Sequence, residues 1–141
     1  MIRLEPVTDT PPAGFDAIRR DARAERYNML DRLASEWESG EQRFTRPGEA
    51  LLAAYSENAL AGIGGVTVEP AFAGAFRMRR FYVRPPYRRL GIARRLALAL
   101  LEGLPSANRL VTVNAAPGSE AFWEALGFAP VTAEGWTHLL T

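Results

Sequence analysis

The sequence predicts a single α/β (α+β) domain of 141 residues. Segments rich in β-branched, aromatic or alternating apolar residues are interleaved with segments whose apolar residues recur at i, i+3 and i+4. Two of the strand-like segments, Ala50 to Ser56 and Leu60 to Glu69, are separated by Glu57-Asn58, the tip of a hairpin. A third, Phe76 to Arg84, passes through a glycine turn into a helix-like segment, Leu90 to Gly103. No linker, repeat or low-complexity run divides the chain, and its length allows one sizeable core.

The elements follow in order. Ile2 to Val7 alternates apolar and polar residues, as a first strand does. Pro11-Pro12-Ala13-Gly14 is a breaker. Phe15 to about Ser39 is helical, with Phe15, Ile18, Tyr27, Leu30, Leu33 and Trp37 as its spaced apolar positions. The phase changes near Tyr27 and Asn28, which predicts two helices, and Gly40 is placed to stop the second. Residues 41–49 form a loop before the hairpin, and residues 70–75 a loop after it. Pro85-Pro86 ends the fourth strand, and Pro105 blocks continuation of the helix after it. Arg109 to Asn114 reads as a fifth strand and Ser119 to Leu126 as a short helix closed by Gly127. Phe128 to Thr132 and Trp136 to Leu140 read as a last pair of strands.

Composition is ordinary for a globular protein, with 48% hydrophobic and 23% charged residues. No stretch approaches the apolar length of a membrane span, and the N-terminus lacks a signal-peptide pattern. The expected location is therefore the cytoplasm, without a membrane partner. There is no cysteine and a single histidine, so neither disulfides nor a thiolate metal site is available, and no metal is expected. All 17 basic residues are arginine.

Eight of those arginines fall between Arg77 and Arg95, around the turn Tyr87-Arg88-Arg89-Leu90-Gly91-Ile92-Ala93, although the net charge is only +1. A strand that turns through a glycine into a helix leaves backbone N–H groups without partners. The helix dipole adds partial positive charge there. Gly91 lacks a Cβ, so a ligand can approach the main chain closely. This combination is a seat for a phosphate or diphosphate. A basic cluster also suits nucleic acid, but acidic residues offset it elsewhere and no aromatic repeats of an RNA-binding type accompany it, so no nucleic-acid partner is expected.

The pattern Arg88-x-x-Gly91-x-Ala93, after a strand ending Phe81-Tyr82-Val83-Arg84-Pro85, resembles the acetyl-CoA motif of the GCN5-related N-acetyltransferases. A second block matches downstream: Val111-Thr112-Val113-Asn114, then Phe122-Trp123-Glu124-Ala125-Leu126-Gly127-Phe128. The resemblance covers nearly the whole chain. It implies a twisted, mixed but mostly antiparallel sheet of six or seven strands flanked by about four helices. It implies acetyl-CoA as co-substrate and an amine acceptor of a small molecule or peptide. It also implies that the N–H groups of Arg89, Leu90, Gly91, Ile92, Ala93 and Arg94 bind the diphosphate, with Arg88 or Arg89 facing the phosphates. The main chain at Phe81 and Val83 would hold the pantetheine arm and the acetyl carbonyl. A homodimer through exposed sheet edges is a further expectation.

Acetyl transfer to an amine needs a neutral amine, a stabilised oxyanion and a stabilised leaving thiolate. In many relatives the base is a Glu near the start of the fourth strand; here that place holds Arg77, which cannot act as a base. Glu69, at the end of the preceding strand, is the nearby substitute or else a hairpin carboxylate. His138 has a suitable unperturbed pKa but is a lone histidine in a strand. The usual leaving-group acid is a tyrosine at the place of Trp123, whose indole is not an acid. Trp123 is then pocket wall or core. Asn114, at the end of the fifth strand, is either a site residue or a turn residue that bonds its own backbone. These two departures raise a second reading, an acyl-CoA-binding or sensing module with little turnover.

Overall fold

The computed structural model describes residues 1–105 and 110–141. The elements run β1 (Ile2–Pro6), α1 (Phe15–Ala24), α2 (Met29–Ser39), β2 (Ala50–Ser56), β3 (Ala59–Val68), β4 (Ala75–Val83), α3 (Ile92–Glu102), β5 (Leu110–Val113), α4 (Glu120–Ala125), β6 (Ala129–Pro130) and β7 (His138–Leu140). A 3₁₀ turn, Pro85–Tyr87, joins β4 to the Gly91 turn. This is the expected element order. The fifth strand was expected to start at Arg109, which lies outside the described residues.

One seven-stranded sheet has the order β1-β2-β3-β4-β5-β7-β6. Every neighbouring pair is antiparallel except β4 and β5, which run parallel. Helices α1 and α2 cover one face. Their buried stripes, Phe15, Ile18 and Ala22, then Leu30, Leu33 and Trp37, pack against Leu60, Ile63 and Tyr82. Helices α3 and α4 cover the other face, where Ala97, Leu100 and Trp123 meet Val66, Met78, Val111 and Val113. The chain reverses between α1 and α2 at Arg26, held at φ 67°. Gly40, at φ 79°, stops α2 where a left-handed residue is required.

Two features of β4 shape the molecule. Its pairing with β5 stops at Met78↔Val113, while β4 itself continues to Val83. The two strands therefore part, and the sheet opens between them. On its other edge the register to β3 passes from Ile63↔Tyr82 to Gly65↔Arg79, so Arg80 and Phe81 together oppose Gly64. That is a β-bulge. Arg80 takes φ 62°, and Phe81 lies over Gly64, where an added Cβ would come within 2.8 Å of the ring.

The ends of some elements differ from expectation for local reasons. Helix α3 starts at Ile92 rather than Leu90, because Gly91 at φ 78° sits outside the helix as its cap. The last strands are shorter than expected: β6 is two residues long and ends at Pro130, which has no N–H to give the ladder. No helix among the described residues is long and apolar enough to cross a membrane.

Candidate functional site

The opening between β4 and β5 is a cleft of about 900 Å³. One wall is β4 from Arg77 to Val83 with Arg88, Arg89 and Ala93 of the turn beyond it. The opposite wall is Val113, Asn114, the loop Ala116–Ser119, and Phe122 and Trp123 of α4. Tyr27, Met29 and Arg32, from the α1–α2 junction and the start of α2, close one end.

At the turn, the first helical hydrogen bond runs from the Arg95 N–H to the Gly91 carbonyl at 3.0 Å. The N–H groups ahead of it have no intrahelical acceptor. Ile92 is anchored: its side chain is buried beside Ala54, Ala61 and Leu96. Gly91 stands in open space, since a Cβ built there would meet nothing within 4 Å. Arg89 is also left-handed, at φ 66°. The exposed side chains of Arg89, Leu90, Arg94 and Arg95 leave the main chain uncovered from within. Arg95 reaches back to the Ile2 carbonyl at 3.0 Å.

Arg88 is differently engaged. Its Nε donates to the Val83 carbonyl at 2.8 Å and its Nη1 to Glu25 at 3.0 Å, and its guanidinium lies over the Tyr82 ring. Tyr82 also donates its hydroxyl to Glu25, at 2.5 Å. The hydrogen bonds from Arg88 and then Tyr82 hold the Glu25 carboxyl below its ordinary value. Burial, and then the bond to Glu25, push the Tyr82 phenol up. Arg88 thus braces the end of β4 against the end of α1 while forming part of the cleft wall. Arg89 is the neighbour left facing solvent at the turn.

Phe81 and Val83 line the cleft wall. β4 runs on past its last pair with β5, Met78↔Val113, so this edge of the strand is open to the cleft. Asn114 is exposed just past the end of β5, on the opposite wall.

Trp123 is 3% exposed. Its ring meets Phe81 and Phe122 edge-on, each at 4.9 Å between centroids, and Phe128 at 5.3 Å. It is a core residue that also forms cleft wall. Glu69 is not brought to the cleft. It is buried, its carboxylate accepts the Thr112 hydroxyl at 2.7 Å and the Ala71 N–H at 3.1 Å, and Arg77 lies 3.8 Å away. It is therefore neither the exposed hairpin carboxylate nor a group placed to meet an acceptor. The turn after β3 carries it beside the pair Arg77↔Thr112, behind the cleft residue Arg77. His138 is likewise buried, held between Thr137 at 2.8 Å and Glu124 at 2.9 Å.

The sequence did not single out Tyr27, Met29 or Arg32, nor the side chains of Arg79 and Arg80, as cleft residues. Arg77, Arg79 and Arg80 were visible as part of an arginine cluster. Their position on the β4 wall beside α2 depends on register and on the bulge.

A family model described as an acetyltransferase (GNAT) domain matches residues 18–138. No curated protein matches the sequence. Among solved structures, the chain is similar to a protein described as a candidate acetyltransferase from Exiguobacterium sp. 255-15, with TM-score 0.90 and 23% identity, over 99% of this chain and 93% of that one. It is similar to an aminoglycoside 6'-N-acetyltransferase complexed with coenzyme A, with TM-score 0.67 and 18% identity, over 97% and 92% of the two chains. It is also similar to a mutant of the toxin AtaT bound to acetyl-CoA and to the C-terminus of the antitoxin AtaR, with TM-score 0.69 and 13% identity, over 99% and 92%. At these identities the likeness is one of fold.

Proposed function

We propose that this chain, which belongs to the GNAT acetyltransferase family, transfers an acetyl group from acetyl-CoA to a primary amine by direct attack in a ternary complex. The observation that carries the proposal is the Gly91 turn. Its open space, the φ of 78° and the unpaired N–H groups at the start of α3 fit a diphosphate pressed against the main chain.

In this proposal the N–H groups of Arg89 to Arg94 hold the diphosphate, with the Arg89 guanidinium adding charge from the side. The main chain of Phe81 and Val83 orients the pantetheine arm along β4. Bound acetyl-CoA supplies the thioester carbon that the amine attacks. A main-chain donor of the bulge aimed at the developing oxyanion contributes to rate and not only to binding. Asn114, across the cleft, positions the reacting ends, and Trp123 and Phe122 wall them off from water. Holding amine and thioester together removes much of the barrier without a covalent enzyme intermediate.

Water takes the proton that the amine loses and returns one to the CoA thiolate, which leaves as the thioester C–S bond breaks. Two carboxylates beside cleft residues, Glu25 and Glu36, are held by Arg88 and Arg80. Cations on the wall disfavour the ammonium form of an amine bound beside them. The acceptor then arrives closer to its reactive, neutral state.

The engagement of those carboxylates also favours the second reading, a module that binds acyl-CoA with little turnover. One assay separates the two. Purified protein is given acetyl-CoA and a panel of amines, and free thiol is followed. Turnover well above solution aminolysis supports the transferase. Tight CoA binding with no turnover on any amine supports the module.

A further inference from the structure

The acceptor end of the cleft is strongly cationic, and its charges are unequally matched. Arg77, Arg79 and Arg80 come from β4 and Arg32 from α2. Two carboxylates answer them among the described residues. Glu36 binds Arg80 at 2.8 Å, with the two side chains 17% and 8% exposed. Glu69 lies 3.8 Å from Arg77, which also donates to the Gly135 carbonyl. Arg79 has no ion pair or hydrogen bond from its guanidinium among the described residues, and its Nε is buried without a partner. Nε of Arg80 is buried and unpaired as well.

Arg79 is half-buried, and a buried N–H such as its Nε is costly when unpaired, so such groups are ordinarily hydrogen-bonded. Burial, then repulsion from Arg80 and Arg77, lowers the Arg79 pKa from its ordinary value, and Glu36 opposes this only in part. Arginine nevertheless stays charged at neutral pH. The fold therefore keeps on the cleft wall a cation that has no ion pair among the described residues. The diphosphate seat does not account for it. Arg80, Phe81 and Tyr82 separate Arg79 from Val83, and the Gly91 turn lies beyond Val83.

We infer that the acceptor is a small amine carrying its own oxyanion, a carboxylate or a phosphate, which the Arg79 guanidinium binds with help from Arg32 and Arg80. The planar fork of a guanidinium matches either oxyanion. This deepens the transferase reading and rests on it for the location of the acetyl group. With the acetyl group near Phe81, the amine and the Arg79 guanidinium belong to one short stretch of β4, on either side of Arg80. That closeness suits a short acceptor with a few bonds between its two ends.

The test uses three probes of similar size: propylamine, 3-aminopropanoate and O-phosphoethanolamine. Each is assayed for thiol release from acetyl-CoA and, separately, for binding by calorimetry to protein saturated with CoA. In wild type, one of the two anionic amines should exceed propylamine by about tenfold or more in both kcat/KM and affinity, the effect of a hydrogen-bonded charge. Which of them does so distinguishes carboxylate from phosphate. Arg79→Gln should remove that preference. Arg32→Gln, at an exposed position, should reduce it about threefold and serves if Arg79→Gln does not fold. If no amine is acetylated, the transferase reading fails, and calorimetry still decides the anion site. Equal binding of propylamine and both anionic probes to wild type overturns the inference. So does an anionic preference undiminished in a folded Arg79→Gln protein or, where that variant does not fold, undiminished in Arg32→Gln.

Discussion

The two ends of the cleft are made of different material. At the Gly91 turn the polar groups offered are main-chain N–H groups, presented by a left-handed glycine and the start of a helix. At the other end they are guanidiniums of Arg32, Arg77, Arg79 and Arg80, brought from a helix and a bulged strand. The first end depends on backbone conformation and tolerates varied side chains such as Leu90. The second depends on side-chain identity, and on a bulge that changes which residues share a face. A substitution should therefore act differently at the two ends. Backbone-incompatible changes should matter most at the turn, and charge-removing changes at the arginines.

Trp123 joins the two ends, because it packs on Phe81 of the β4 wall. Its removal should have the largest effect on stability. Trp123→Ala should cost about 3–5 kcal/mol in denaturant unfolding, since a large core aromatic would be lost. Trp123→Phe, in protein shown to be folded, should keep most of the turnover. A loss of about a hundredfold, some 2.7 kcal/mol of barrier, with CoA affinity intact would give the indole N–H a part in the reaction and not only in packing.

Next in size is the turn. Gly91→Val should weaken CoA binding by at least about 2 kcal/mol, through lost hydrogen bonds and added bulk. The left-handed φ adds strain for a β-branched residue. Unchanged calorimetric affinity in a folded variant would remove the diphosphate from this turn.

Within the turn, Arg88 and Arg89 should differ. Arg88 is committed to Val83 and Glu25. Arg89→Met should therefore cost about 1 kcal/mol in CoA affinity and Arg88→Met only a few tenths, on the scale of exposed charge contacts. The reverse order would mean that Arg88 leaves Glu25 when CoA binds.

The smallest effect is a pH dependence. The folded-state pKa of Glu25 is depressed, first by Arg88 and then by Tyr82. Its contribution is present above the unfolded value, about 4.3, and is lost as pH falls through the lower folded value. Glu25→Gln should then be less stable than wild type at pH 7, by under about 1 kcal/mol because the pair is partly exposed. The gap should close as acid unfolding is approached. A gap that widens in acid would show that Arg88 and Tyr82 do not stabilise the carboxylate.

Much of the framework was legible in the residues. The break between α1 and α2 showed in the change of apolar phase near Tyr27, and the hairpin showed in Glu57-Asn58. The Gly91 turn showed because glycine, helix start and preceding strand are contiguous. What misled was proximity in sequence. Glu69 is close along the chain to the usual place of a base, yet the fold buries it against Thr112. Arg88 fits the motif, yet Glu25, from the end of α1, takes its guanidinium.

By itself, then, the sequence determined the element order, the two-sided core and the main-chain seat at Gly91. Each of these rests on local grammar: periodicity, helix stops and one position that needs a left-handed residue. Only the tertiary structure decided where β4 leaves β5, that Arg80 and Phe81 together face Gly64, and that Arg32 meets Arg77, Arg79 and Arg80 at one end of the cleft. Those outcomes depend on strand register and helix docking between segments tens of residues apart. A one-residue change in register moves side chains to the opposite face of a sheet, so the charge at that end of the cleft was settled by pairing and not by composition.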